Sequence, residues 1–127
     1  MNFSLTEDQQ AFADLAAQFA AKSLAPNAAE WDATGYFPKD VFKAAGELGF
    51  MGLYTNPDFG GLGLPRLDAA IIFEKLAYGD TSTAAFMTIH NMVAWMIGEF
   101  AKPEVAEKYL SELLAGEKLG SYCLTEP

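Results

Sequence analysis

A single cysteine, a single histidine and only eight basic residues stand in a chain of 127. Cys123 therefore has no partner for an internal disulfide, and one thiol with one imidazole cannot compose a zinc ligand set, so no metal site is expected. A reducing compartment fits this usage. Set against seventeen acidic residues, the eight cations leave a net charge of -9, which repels phosphate backbones and anionic headgroups. That balance excludes nucleic acid as an expected partner. No long hydrophobic run is present either. The most apolar window, residues 84–97, is interrupted by Thr88, His90 and Asn91 and is shorter than the roughly 20 residues that a membrane span needs. It reads as a core helix, with no membrane expected. The opening Met1-Asn2-Phe3-Ser4-Leu5 lacks the basic and apolar regions of a secretory signal, and acidic residues arrive by Glu7, unlike a transit peptide. An untargeted cytoplasmic chain is the expectation.

What is present is apolar mass: the hydrophobic fraction is 51%, with ten Phe, five Tyr and two Trp. That is enough to offset the conformational entropy of folding in one domain. A first helix is expected from Thr6, whose hydroxyl can cap while Gln9 reaches back, with Phe12, Leu15, Ala16 and Phe19 on one face. Pro26 should end or kink it, and residues 27–32 leave room for one further turn. A second helix is expected with Pro38 in its first helical position and Gly49 just past its end. Residues 50–64 carry Asn56-Pro57-Asp58 and Gly60-Gly61-Leu62-Gly63 and form the main loop. Two strongly apolar helices follow, at about 67–78, ending at Gly79, and from Thr81 or Ser82 to Phe100; each is expected to have neighbours on most sides, the latter at the centre. A fifth starts at Pro103, carries Tyr109, Leu110, Leu113 and Leu114 as its buried stripe, and closes at Gly116. The expected fold is all-α: a bundle of about five helices over residues 1–117. Residues 118–127 read as the first strand of a β part that would follow.

Candidate chemical groups have modest local support. The glycine loop lacks phosphate-cradle spacing and reads as a tight turn. His90 has no paired nucleophile nearby and reads as a hydrogen-bonded structural residue. Cys123 has no basic neighbour to activate it and reads as a packing residue. Glu47, Glu74 and Glu99 are widely separated and read as surface charges, so no catalytic residue is assigned. Ala85, Thr88, Ile89 and Met92 fall at i, i+3, i+4 and i+7, and on pattern alone that stripe belongs to a core.

Several separated motifs carry a family resemblance. Ser121-Tyr122-Cys123-Leu124-Thr125-Glu126-Pro127 resembles the opening of the acyl-CoA dehydrogenase flavin signature, which normally continues Gly-x-Gly-Ser-Asp. Leu48-Gly49-Phe50 leading to Asp58-Phe59-Gly60-Gly61-Leu62-Gly63-Leu64 is similar to that family's loop between early helices, and Tyr109-Leu110 lies at the matching distance before the signature. The order holds over the whole chain. More narrowly, Leu24-Ala25-Pro26-Asn27 with Ala29-Glu30-Trp31-Asp32, and Ile89-His90-Asn91-Met92 with Ala94-Trp95-Met96-Ile97, resemble the isobutyryl-CoA dehydrogenases of valine breakdown.

The resemblance implies an FAD enzyme that dehydrogenates an acyl-CoA between its α and β carbons and passes electrons to an electron-transferring flavoprotein, usually as a homotetramer. Tyr122, Cys123, Leu124 and Thr125 would lie along the flavin, and Ala85, Thr88, Ile89 and Met92 would border the acyl cavity. Thr88 stands where some members place a longer acidic side chain, and a short branched acyl group is the favoured substrate. The catalytic carboxylate and most CoA contacts belong, in the family, to later domains, so the chain by itself should be inactive. Two other readings stay open: a helical binding or oligomerisation module without chemistry, and an acyl-CoA oxidase or flavin monooxygenase of the same fold.

Overall fold

Thr6 opens the first helix by reciprocal bonding: its hydroxyl accepts the Gln9 N–H at 3.2 Å, and the Gln9 side-chain oxygen accepts the Thr6 N–H at 3.0 Å. This capping box satisfies two donors that a helix start leaves over. The computed structural model describes residues 4–125; Glu126 and Pro127 of the signature lie outside them. Among the described residues there are six α-helices: α1 Glu7–Phe19, α2 Ala28–Thr34, α3 Lys39–Glu47, α4 Arg66–Gly79, α5 Thr81–Phe100 and α6 Pro103–Leu114. The sixth arises because the turn expected after Pro26 is a full helix, α2, which Gly35 ends in a left-handed conformation. Contacts divide the chain into two compact units, Met1–Phe37 with Pro65–Ala85, and Pro38–Leu64 with Phe86–Pro127.

In the first unit α1 packs against α4. The face of α1 that does so is built of small residues, Ala13 and Ala16, with Phe19, against Ala69, Ile72 and Leu76. Each large aliphatic side chain buried this way contributes on the order of 1.5–3 kcal/mol. Gln9, besides capping, donates to Asp68 Oδ1 at 2.8 Å. The helical run ends before Pro26, as expected, and its last turn is a π turn, Ala20–Leu24, in which the Ala25 N–H reaches back to the Ala20 carbonyl at 2.9 Å. Gly79, at the end of α4, lies against that turn: a Cβ there would stand 2.8 Å from the Ala20 oxygen. The expectation that α4 is enclosed on most sides is corrected. It buries Ala69, Ile72 and Leu76, while Leu67 and Tyr78 are 65% and 79% exposed. Asp80 then caps α5, accepting from the Thr83 N–H at 2.9 Å and from its hydroxyl.

In the second unit α3 starts one residue later than expected, with Pro38 as its cap and not its first helical residue, and Gly49 follows its end with a φ of 80°. Phe42 of α3 packs against Phe86 of α5 with the rings tilted at 52° and their centres 4.8 Å apart. Gly116, with a φ of 70°, closes α6 so tightly over α3 that a Cβ would collide with the Phe42 carbonyl. A core of Ala94, Ala106, Leu110, Leu113 and Leu114 is flanked by Phe59, Ile97 and Tyr109. The glycine loop is a structural turn, as expected. Leu62 and Leu64 donate to the carbonyls of Gly52 and Leu53 at 2.9 and 2.8 Å, folding residues 52–64 back on themselves. The expectation of enclosure also needs correcting for α5, where Ile89 is 40% and Phe100 73% exposed. Residues 119–125 carry no regular secondary structure. A strand exists only by pairing with another, and the described residues supply none.

Candidate functional site

Two adjacent polar side chains on α5, His90 and Asn91, are both fully buried. Neither breaks the rule that buried polar groups find partners. Asn91 accepts the Leu53 N–H at 2.7 Å and donates to the carbonyls of Phe50 and Met87, each at 2.9 Å. It thereby pins the entry to the glycine loop onto α5. Its partners Phe50 and Leu53 lie 41 and 38 residues away, which is why sequence reasoning passed over it.

His90 is hydrogen-bonded at both ring nitrogens, as expected of a structural histidine. The Gly120 N–H, 3.1 Å from Nδ1, can only donate, so Nδ1 is bare and accepts. The proton sits on Nε2, which donates to the Leu113 carbonyl at 3.0 Å. Burial pushes the imidazole pKa below its ordinary value, with the Leu113 carbonyl opposing, so the ring is neutral. It holds the end of α6 on one side and the last segment of the chain on the other. Gly120 itself is pressed against α5: a Cβ there would lie 2.7 Å from Val93 Cγ1. Just before it, Lys118 pairs with Glu112 and lies over the Tyr109 ring, 5.4 Å from its centre; Glu112 raises the ammonium pKa.

Beyond Gly120 the segment is open to solvent. Tyr122 is 42% exposed, Leu124 75%, and Cys123 and Thr125 are exposed as well. Cys123, read from sequence as a packing residue, thus packs against little within the described residues. Ser121 and Tyr122 join Val93, Met96, Ile97 and Phe100 of α5 around a largely apolar recess of about 280 Å³. The structure thus brings one expected cofactor-facing residue, Tyr122, to a concave surface. Thr88 and Met92 are half-buried, and Ile89 is exposed; none of the three lines that recess. Ala85 is exposed and falls in the other unit. Val93, Met96 and Ile97 were legible only as core positions; what marks them as lining is the return of the chain at Gly120, which no local pattern announces. Glu47, Glu74 and Glu99 are exposed, as surface charges should be. No cluster of metal-ligating side chains occurs among the described residues.

The described residues are all-helical in their regular structure, and the recess lies where the chain returns along α5 with Tyr122 at its edge. Residues 6–117 match the family described as acyl-CoA dehydrogenase, N-terminal domain, and the chain belongs to that family. It is 51% identical over 123 residues to the mitochondrial isobutyryl-CoA dehydrogenase of Dictyostelium discoideum and 48% identical over 126 residues to that of Bos taurus. These alignments cover 97% and 99% of this chain but 30% of each relative, so the chain spans under a third of their length. Among solved structures, butyryl-CoA dehydrogenase from Megasphaera elsdenii superposes with a TM-score of 0.87 at 35% identity, over all of this chain and 34% of that one. Among the described residues no helix is long and apolar enough to cross a membrane.

Proposed function

We propose that this chain is the N-terminal part of an FAD-dependent acyl-CoA dehydrogenase acting on a short branched acyl-CoA of the isobutyryl type. Residues 1–117 form its helical domain and 118–127 the first strand of a β domain. The observation that carries the reading is the identity of 51% and 48% to two isobutyryl-CoA dehydrogenases across nearly the whole chain. The exposed run Tyr122, Cys123, Leu124 and Thr125, held beside an apolar recess, is consistent with it.

The residues present fit one edge of a flavin: a half-exposed tyrosine lining a recess, and an exposed threonine beyond it. FAD, when bound, supplies the acceptor for the hydride that leaves the β-carbon. Tyr122 is an apolar wall on the ring; Thr125 and the neighbouring backbone offer hydrogen bonds to it. Ala85, Thr88, Ile89 and Met92 are the residues of this chain that would border the acyl group. We assign no catalytic base to this chain, so the 127 residues alone should show no turnover and at most weak FAD affinity, because a few residues cannot enclose a ring. A net charge of -9 also leaves the anionic CoA phosphates to be met elsewhere in the longer protein. Electron-transferring flavoprotein is the proposed acceptor and a homotetramer the proposed assembly.

The test is steady-state turnover of the full-length gene product with a panel of acyl-CoA thioesters. Activity with isobutyryl-CoA that depends on electron-transferring flavoprotein is expected. Turnover coupled to oxygen consumption would move the assignment to an oxidase or monooxygenase. A full-length product that holds no flavin would leave only a helical interaction module.

A further inference from the structure

We propose that His90 is the positioning residue for the flavin-facing segment: by accepting the Gly120 N–H it fixes the register in which the chain enters the run Tyr122, Cys123, Leu124 and Thr125 before any cofactor arrives. The inference rests on the FAD reading above and deepens it. Two independent features select Gly120 as the residue seated there. One is chemical: Nδ1 of a neutral, fully buried imidazole whose other nitrogen is committed to Leu113 accepts only a donor. The other is steric: the backbone comes so near Val93 that a Cβ would lie 2.7 Å from its Cγ1, well inside contact distance.

A slip of one residue would bring Leu119 or Ser121 into that seat, and neither fits without displacing Val93. The register is therefore fixed two residues ahead of Tyr122, and with it the choice of Tyr122 rather than Cys123 to join Ser121 at the recess. His90 need not touch the cofactor. It acts through the main chain, and its own position is braced by Leu113 at the end of α6 and by the Phe86 ring, 6.3 Å away between centres.

Three variants of the FAD-loaded full-length protein test this. His90→Phe keeps a planar aromatic ring, somewhat larger than imidazole, and removes both bonds. Gly120→Ala leaves His90 in place and spoils the seat. His90→Gln restores an acceptor and a donor on one planar group. His90→Phe and Gly120→Ala should each weaken FAD binding about tenfold, the effect of one lost buried hydrogen bond, and should shift the flavin absorption band. His90→Gln should recover most of both. Should His90→Phe or Gly120→Ala keep wild-type FAD affinity and spectrum while only the melting temperature falls, His90 is merely structural and the proposal is overturned. If the wild-type protein binds no FAD, the functional reading fails instead, and amide exchange in the 127-residue chain still decides the positioning. His90→Phe should then speed exchange at Gly120 while the α5 amides keep their protection, and unchanged Gly120 exchange overturns it.

Discussion

Replacing Asn91 with alanine should be among the most damaging single changes to the second unit. The side chain accepts from the Leu53 N–H and donates to the Phe50 carbonyl, and both of those residues are fully buried. The third contact, to Met87, matters less, because that carbonyl also accepts a helical bond within α5. Losing a bond to a buried backbone group costs about 1–3 kcal/mol. With the small void added, the expected loss is about 3–5 kcal/mol, a large part of the stability of a domain this size. Asn91→Asp keeps the acceptor for Leu53 but turns an oxygen toward two carbonyls, and should be of similar severity. The assay is urea unfolding followed by Trp95 fluorescence in a Trp31→Phe background, since Trp31 lies in the other unit. A drop in midpoint without a change in slope is expected. A loss below about 1 kcal/mol would refute the claim that this amide holds the loop to α5.

Further outcomes follow from the same contacts. The His90 pKa lies below its ordinary value of 6.5 in the folded chain, so as pH falls below that value the unfolded chain takes up a proton that the folded one refuses. Stability should therefore decline with falling pH by up to about 1.4 kcal/mol per pH unit from this group, and pH-dependent urea melts of His90→Gln should lack that component. Thr6→Ala removes half of the capping box and should destabilise the first unit by about 1 kcal/mol, read by Trp31 fluorescence. Gly61→Ala would drive a Cβ into the Thr55 carbonyl and should lower the thermal midpoint of the second unit by several degrees, the shift that about 1–2 kcal/mol produces in a small domain. A melting curve matching wild type would show that the loop is softer than its bonding implies.

Those features that depend on local chemistry were legible in the sequence. The Thr6 and Gln9 capping box, Gly49 past the end of α3, Pro103 at the start of α6 and Gly116 at its close all stand at or within a residue of their expected places, because each is set by backbone requirements a few residues wide. Features set by distant partners were not. Asn91 looked like an interruption in an apolar helix, and only the fold reveals that it answers two backbone groups about forty positions away. Pro26 ends the helix, as its missing donor led one to expect, but the form of the last turn, a π turn at Ala20–Leu24 packed against Gly79, depends on a contact between residues remote in sequence. Apolar residues on α4 and α5 suggested complete enclosure, but periodicity counts apolar faces without saying what covers them, and Leu67, Tyr78 and Phe100 are left open by this chain. For the candidate site, the motif named the residues near the end of the chain, whereas the hydrogen bond that seats them comes from a histidine thirty positions earlier.

The most direct single measurement is anaerobic mixing of the FAD-loaded full-length protein with isobutyryl-CoA while the flavin absorbance is followed. The expected result is rapid bleaching of the oxidised flavin, faster than with longer unbranched thioesters. A flavin that stays oxidised with every acyl-CoA would contradict the assignment at its root.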